Sequence, residues 1–211
     1  MGIPLSEGYA KGAENFLVIA EASFASGVKY FTIWGMSEDN LKKRSKTEIA
    51  ILRFLFKKEL RKLLESEKLV KNGISMRIIG NGLHMLRDKE AAALAREVEE
   101  ISGRFTNRRM TLLFGYDGKE DMLSAIKGLH GEKNPHITYE GVKKHLMTPD
   151  LPPVDFLIRT GGEPHWSGGF LMWLTGDSEL YFPDMYWPAF HPKDLKDAFT
   201  EYSSRRSMKG R

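Results

Sequence analysis

The chain has 211 residues, of which 41% are hydrophobic and 28% charged, and its formal net charge is +4. These values fit one globular domain over residues 1–211, and they favour small anionic ligands over nucleic acid. The absence of cysteine excludes disulfides and thiolate metal sites. With neither a long apolar run nor a signal-like start, the chain is predicted to be cytoplasmic.

In chain order, the sequence alternates helical and strand-like periodicity. Apolar residues at helical spacing predict helices over 14–26, 47–69, 89–101, 120–129 and 191–205, with one small helix inside the linker 130–151. Short apolar runs predict strands over 28–34, 74–79, 110–114, 154–158, 170–174 and 179–182. This alternation predicts an α/β fold with a mostly parallel central sheet flanked by helices.

Polar or glycine-containing segments follow four of the predicted strands, at 36–40, 80–82, 115–119 and 159–163. In a parallel sheet these segments meet at the carboxyl edge, where ligands bind. The segment 80–82 is expected to be a tight turn, because no helix start with a lysine follows it. The other three segments make this edge the expected site.

The segment 159–163 reads Arg-Thr-Gly-Gly-Glu and carries the strongest signal. The Arg159 guanidinium suits phosphate oxygens, and Gly161 and Gly162 would let backbone N–H groups approach a ligand closely. The segment therefore predicts a phosphate or diphosphate site. An ion pair between Arg159 and Glu163 in a surface turn is the structural alternative.

Five segments resemble motifs of the cis-prenyltransferase family, and the similarity extends over nearly the whole chain. The resembling segments are Ser-Glu-Asp-Asn-Leu at 37–41, Gly-Tyr-Asp-Gly-Lys at 115–119, Arg-Thr-Gly-Gly-Glu at 159–163, Ser-Glu-Leu-Tyr-Phe at 178–182 and Trp-Pro-Ala-Phe at 187–190. The segments at 159–163 and 178–182 are specific in order and spacing, whereas the first two are looser.

The resemblance implies a Mg²⁺-dependent homodimer that condenses isopentenyl diphosphate with an allylic diphosphate such as farnesyl diphosphate. The product would be a cis-polyprenyl diphosphate, with pyrophosphate released. The resemblance also implies peripheral contact with a membrane during product release. An ionising diphosphate requires cationic and N–H donors, which accounts for the residue types in the motifs.

The resemblance also assigns roles to individual residues. Arg159 and Ser167 would hold the diphosphate of isopentenyl diphosphate, with His165 in place of a second arginine. Gly210 would reach the isopentenyl site of the partner subunit.

Two further residues would act in the chemistry itself. Asn40 would sit beside the reacting carbons, although a helix N-cap or turn role fits its sequence equally well. Glu179 would be both a catalytic residue and a metal ligand, and without the resemblance it would be read as a solvent-facing strand start. The segment 54–56 is a candidate wall of the channel for the growing chain, and the aromatic stretch 181–190 a candidate subunit interface.

The chain departs from the family pattern at its start. The family opens with a strand and an Asp-Gly-Asn-Gly-Arg loop that binds Mg²⁺ and the allylic diphosphate, whereas this sequence begins just past that loop. The first strand is therefore expected to be missing. Tyr9 stands where a histidine is expected, Leu41 replaces a tryptophan and Lys119 replaces an arginine.

Several interpretations of these departures stay open. The chain is read first as an N-terminally incomplete enzyme and second as a non-catalytic accessory subunit of a heteromeric cis-prenyltransferase. A divergent enzyme that uses another acid, such as Asp39, is the third. A diphosphate-binding module without chemistry is an interpretation outside the family.

Overall fold

The computed structural model describes residues 4–133 and 137–205. Its α-helices are α1 (Leu5–Ala25), α2 (Glu38–Lys43), α3 (Lys46–Ser66), α4 (Lys68–Lys71), α5 (Gly82–Leu86), α6 (Lys89–Ser102), α7 (Gly118–His130), α8 (Tyr139–Lys144) and α9 (Pro192–Ser204). Its strands are β1 (Tyr30–Met36), β2 (Ile74–Ile79), β3 (Arg108–Phe114), β4 (Phe156–Ile158) and β5 (Glu179–Tyr181). A 3₁₀ turn covers Trp187–Ala189. None of the helices described is long and apolar enough to cross a bilayer.

All described strand pairs are parallel, as the alternation of helices and strands predicts. One sheet has the order β1-β3-β2, and β4 pairs with β5 in a second sheet. The registers place Tyr30 opposite Arg109 in the first sheet and Phe156 opposite Glu179 in the second. The predicted α/β fold with parallel strands and flanking helices is confirmed.

The main core lies between the three-stranded sheet and helices α1, α3 and α6. Met76 and Met110 on neighbouring strands are almost fully buried there. They pack with apolar side chains at helical spacing, which include Phe24 of α1, Leu60 of α3 and Val98 of α6. A smaller cluster joins α1 to α9 around Ile19, Phe190 and Leu195. These two clusters hold α1 against the first sheet and against α9.

Most of the predicted elements occur within a few residues of their predicted bounds, and β2 has the predicted bounds. The predicted strand 170–174 is wrong, because the chain turns there. Backbone bonds run from Phe170 N–H to Ser167 O and from Leu174 N–H to Leu171 O. Leu171 adopts a positive φ of 38°. Its side chain is buried all the same, so the apolar run reflects core packing and not a strand.

Short helices were the other elements that periodicity missed. The predicted tight turn at 80–82 bends the chain at Gly80, with a φ of 113°, and leads directly into α5, whose N-cap is Asn81. Helix α2 is six residues long, too short for a helical period to be visible. The long predicted helix ends at Ser66 because Glu67 takes a left-handed conformation with φ 51°.

Candidate active site

The loops that follow β3 and β4 meet at one edge of the molecule. Gly118 N–H, at the start of α7, donates to Gly169 O at 2.8 Å. The Trp34 indole N–H, near the end of β1, donates to Tyr116 O at 3.0 Å. Because β1 and β3 are parallel, these contacts bring the carboxyl ends of three strands together, as the topology predicts.

A cavity of about 1610 Å³ opens at this edge. Four residues predicted to act in the site line it, namely Asn40, Arg159, His165 and Ser167. The cavity continues between α1 and α3, where its wall is apolar and includes Phe16, Leu52, Phe56 and Leu60. The arrangement therefore joins a polar mouth to an apolar interior.

The apolar wall on α3 is only partly the predicted one. Phe56 lines the cavity and stacks on Phe114 with ring centroids 5.0 Å apart. Phe54 is 65% exposed and does not line it. Two positions apart on a helix, the side chains point to different faces, so one end of the predicted segment 54–56 faces the cavity and the other faces solvent.

The loop 159–163 contains the predicted cation, Arg159, but its two glycines bond to the protein backbone and not to a ligand. Arg159 is half-buried and pairs with Glu163 at 2.7 Å, so the ion pair considered as an alternative does form. Gly161 and Gly162 have φ angles of 105° and 69°, which explains the glycines. Their N–H groups donate to Met185 O and Pro183 O, so the expectation that they face a ligand is wrong.

His165 and Ser167 stand on the same loop beyond Arg159. His165 is exposed on the cavity mouth, and its backbone N–H donates to Glu163 O at 2.8 Å. The Ser167 hydroxyl accepts a long bond from Gly169 N–H at 3.4 Å. Both side chains thus retain polar groups that a ligand can engage.

Asn40 belongs to helix α2 and is not its N-cap. The cap is Ser37, whose hydroxyl accepts from Asn40 N–H at 3.0 Å. The N-cap alternative for Asn40 is therefore wrong. The Asn40 side chain does not cap the helix, and the residue lines the cavity. A capped turn placed directly after β1 is what holds this amide at the carboxyl edge.

Arg44 is a cavity residue that the sequence reasoning missed. Its Nη1 donates to Glu48 Oε1 at 2.8 Å, and its guanidinium lies 5.6 Å from the centre of the Tyr9 ring. Within residues 4–133 and 137–205, its buried Nε has no hydrogen-bond partner. The signal was the basic run 42–44, which begins two residues after Asn40 and places a cation about one helical turn from a predicted site residue.

Glu48 anchors this corner through a capping box at the start of α3. Its carboxylate accepts from Ser45 N–H and from the Ser45 hydroxyl, both at 2.9 Å. These bonds, with the Arg44 contact, lower the pKa of Glu48 to about 2. Tyr9 OH donates to the same carboxylate at 3.2 Å, and burial raises the pKa of Tyr9.

Glu179 lies apart from the other predicted site residues. It stands opposite Phe156 in the register, three residues before Arg159, which is about 10 Å along a strand. Its carboxylate contacts Arg205 Nη1 at 3.4 Å, and it does not line the cavity. Its predicted role stays a prediction, as does that of Gly210, which lies outside the described residues.

A buried polar pair supports the loop after β3. Tyr116 OH donates to Asp121 Oδ2 at 2.8 Å, and Met147 N–H donates to Asp121 Oδ1, also at 2.8 Å. Burial raises the pKa of both side chains. Asp117 caps α7 through its carboxylate. The loop 115–119 is therefore built from structural bonds that hold Gly118 against the loop after β4.

Residues 1–210 match the family model described as "Putative undecaprenyl diphosphate synthase". The chain belongs to this family. The resemblance to cis-prenyltransferases that the motifs indicate is thereby confirmed for nearly the full length.

Curated relatives extend the match. The chain is 34% identical over 217 residues to the geranylgeranyl-diphosphate-specific tritrans,polycis-undecaprenyl-diphosphate synthase of Thermoplasma volcanium, covering 100% of this chain and 83% of that protein. It is also 34% identical over 210 residues to the isoprenyl transferase of Aquifex pyrophilus, covering 100% of this chain and 88% of that protein.

Solved structures share the fold. Lavandulyl diphosphate synthase from Lavandula x intermedia, in complex with dimethylallyl diphosphate, superposes with a TM-score of 0.85 at 28% identity, over 97% of this chain and 89% of that one. A probable undecaprenyl diphosphate synthase from Campylobacter jejuni gives 0.76 at 26% identity, over 95% and 92%.

Proposed function

We propose that this chain elongates prenyl diphosphates. It condenses isopentenyl diphosphate with an allylic diphosphate such as farnesyl diphosphate and yields a cis-polyprenyl diphosphate. The observation that carries the proposal is the single cavity that holds Arg159, His165, Ser167 and Asn40 at a polar mouth and continues into an apolar interior. A diphosphate head and a hydrocarbon tail match these two parts.

The cations of the mouth suit two diphosphate groups. Arg159 and Arg44 come from loops after different strands, and both line the cavity. Each guanidinium is held by a glutamate, Glu163 and Glu48 respectively. Glu163 is 69% exposed, so a diphosphate can displace it from Arg159 at low cost. An arginine–diphosphate contact is also bidentate and charge-assisted.

In the reaction, the allylic substrate loses pyrophosphate with the bonding electron pair. The carbon that carried it bonds to the terminal alkene carbon of isopentenyl diphosphate. This leaves a positive charge on the methyl-bearing carbon of the former alkene. The adjacent CH2 then gives a proton to the released pyrophosphate, and the new double bond forms between these two carbons. In the proposal, Arg159, His165 and Ser167 hold the isopentenyl diphosphate, while the Asn40 amide lies beside the carbon that loses the proton. The apolar wall around Phe56 accommodates the tail.

The proposal includes Mg²⁺ because the family resemblance implies it. A bound cation would neutralise the negative charge that develops on the departing pyrophosphate. The described residues do not themselves form a metal site. Among them, no cluster of three or more acidic or histidine side chains could hold an ion. Glu179, the predicted ligand, is paired with Arg205. We therefore assign the metal no step.

The names of the relatives favour an elongating enzyme over an accessory subunit, because they are synthases and transferases. The proposal further includes a cytoplasmic homodimer that touches the membrane only at its periphery to release product. The exposed Tyr186 belongs to the proposed subunit interface. Trp187 and Phe190 of the same stretch instead pack inward, where the Trp187 indole N–H donates to Gly12 O at 2.8 Å.

Calorimetric titration with isopentenyl diphosphate tests the proposal without requiring turnover. We expect Arg159→Ala to weaken binding by about 10- to 100-fold, as the loss of one charge-assisted contact implies. The matched control is Arg96→Ala on the exposed face of α6, which should bind as the wild type does. Radiolabelled isopentenyl diphosphate and farnesyl diphosphate then report elongation. Equal affinities for the two variants would contradict the proposal.

A further inference from the structure

Four cations collect at the edge of the first sheet opposite the cavity mouth. The strands of this sheet are parallel, so their amino ends meet at one edge, which we call the amino edge. Lys29 directly precedes β1, and Arg108 and Arg109 begin β3, where Arg109 N–H donates to Lys29 O at 2.8 Å. Arg104 lies in the turn that leads into β3. Since β1 has seven residues, the amino edge lies about 23 Å from the carboxyl edge.

Three of these cations have no acidic partner. Among the residues that the structure describes, the side chains of Lys29, Arg104 and Arg108 form no ion pair. Arg109 has one contact, 4.0 Å from its Nη1 to Asp150 Oδ2, and Asp150 is 68% exposed. Exposed pairs of this kind contribute little and are easily exchanged. The amino edge therefore offers positive charge to an external anion.

The fold holds the arginines of the amino edge in place. The Arg104 guanidinium lies 5.0 Å from the centre of the Phe105 ring. The same ring lies 3.9 Å from the position of a Cβ added at Gly73, directly before β2. The Ser75 hydroxyl donates to Arg108 O at 3.2 Å. Because the backbone beneath them is already ordered, these side chains lose little freedom when they contact a charged surface.

The apolar cavity reaches the same edge. Its lining follows β1 as far as Val28 and Lys29, and it includes Leu63 near the end of α3. Tyr30, the first residue of β1, also lines the cavity and is 43% exposed. Tyrosine is enriched where an apolar region meets water and lipid headgroups. The amino edge thus places cations beside the far end of an apolar cavity.

We infer that the amino edge docks on the surface of a bilayer that contains anionic lipids. Lipid phosphates would contact Lys29, Arg104 and Arg108, while the far end of the cavity would face the acyl region. Each cation held near such a surface raises the affinity about fivefold. The inference rests on the proposed function, because a polyprenyl product gives the chain a reason to meet a bilayer at this end of its cavity.

Nucleic acid is the other large polyanion that a basic edge can attract, and the amino edge suits it less well. Single-stranded nucleic acid binds where its bases stack on exposed aromatic rings. Phe105, the aromatic residue of this turn, is only partly exposed and lies under the Arg104 guanidinium. A nucleic acid would also leave the apolar end of the cavity without a partner. Lipid matches both the cations and the cavity.

Vesicle flotation with the full 211-residue chain tests this inference and needs no turnover. The probes are vesicles of phosphatidylcholine alone and vesicles in which about one third of the lipid is phosphatidylglycerol. The test variant combines Arg104→Gln with Arg108→Gln. The matched control combines Lys89→Gln with Arg96→Gln, two exposed cations of α6 away from the amino edge. Both variants lose the same charge, and none of the four residues lines the cavity.

We expect the wild type to bind the anionic vesicles about tenfold or more tightly than the neutral ones. The test variant should lose about 25-fold in affinity for the anionic vesicles, as fivefold per cation implies. The control should lose roughly twofold or less, because charges more than about 10 Å from the lipid are screened by salt. Without vesicles, both variants should elongate prenyl diphosphates at the wild-type rate.

Four results would overturn the inference. These are no binding to either vesicle, equal binding to both, and equal losses in the test and control variants, which would mean that total charge attracts the lipid. The fourth is binding of a single-stranded oligouridine that only the test variant loses, without binding to vesicles, which would assign the amino edge to RNA. The proposed function fails separately, because vesicle binding without elongation would contradict it and leave the docking surface in place.

Discussion

Arg205 Nη1 donates to Glu179 Oε2 at 3.4 Å and to Leu180 O at 2.9 Å. The last turn of α9 is thereby tied to the first residues of β5. The pair also occupies the carboxylate that the family resemblance assigns to a metal. Glu179 could thus bind a metal ion only if the metal displaced the Arg205 guanidinium from its carboxylate.

Arg205→Ala should therefore make Glu179 more available. We expect the Mg²⁺ concentration for half-maximal elongation to fall by about threefold, because partly exposed ion pairs contribute at most about 1 kcal/mol. Lys193→Ala, which removes another α9 cation paired with Asp197, is the control. The effect should vanish in a Glu179→Gln background. If Arg205→Ala shifts only the melting temperature, Glu179 has no part in metal binding.

Phe56→Ala should lengthen the product. The ring lines the apolar part of the cavity and stacks on Phe114, so its removal opens space along the path of the tail. The folded state should lose about 3 kcal/mol at most, because Phe56 is only partly buried. Phe54→Ala, on the exposed face of α3, is the matched control. Chromatography of dephosphorylated products gives the chain lengths, and identical distributions for both variants would contradict this role.

Glu48 should make folding sensitive to acid. Its folded pKa of about 2 lies below its ordinary value of 4.5, so its ionised form stabilises the fold above pH 4.5 and loses this effect as the pH falls towards 2. We expect the stability gap between the wild type and Glu48→Gln to be full at pH 7 and to shrink below pH 4.5. Urea unfolding from pH 7 to pH 3 measures it. A gap that stays constant with pH would contradict the prediction, and Glu97→Gln, exposed on α6, is the control.

Gly115 should tolerate no side chain. It has a φ of 61°, and a Cβ there would lie 2.4 Å from Gly82 N. Gly27 has a φ of 92° with nothing within 4 Å of an added Cβ. Gly27→Ala should cost about 1–2 kcal/mol from backbone strain alone. Gly115→Ala should cost clearly more, by chemical denaturation. Similar losses would mean that the contact with Gly82 relaxes freely.

The long periodic elements of this fold were predictable from sequence because each one buries a regular stripe. Leu60 and Leu63 recur at helical spacing on α3, and the apolar run 74–79 has the bounds of β2. The apolar run 170–174 gave a wrong strand prediction, because Leu171 and Leu174 are buried in a segment that turns and forms no strand. The hydrophobic pattern of a short segment indicates that its side chains are buried. Whether the segment forms a strand or a turn depends on how it packs in the tertiary structure.

The candidate site was predictable in part for a related reason. Strand order brings Asn40, Arg159, His165 and Ser167 to one cavity, and that order follows from the alternation of elements. Arg44 was missed because its importance lies in a buried Nε without a partner in the described chain. The ion pair between Glu179 and Arg205 was also not predicted, because the two residues are 26 positions apart in sequence and come into contact only in the folded chain.

The backbone bonds of Gly161 to Met185 and of Gly162 to Pro183 have a further consequence for affinity. They hold the loop of Arg159 in place before any ligand arrives. Binding a diphosphate there then requires ordering the arginine side chain alone, at about 0.5–1.5 kcal/mol, and not a whole loop. For the proposed diphosphate ligand, the glycines would thus strengthen binding by removing an entropic cost, although both of their N–H groups are already bonded within the protein.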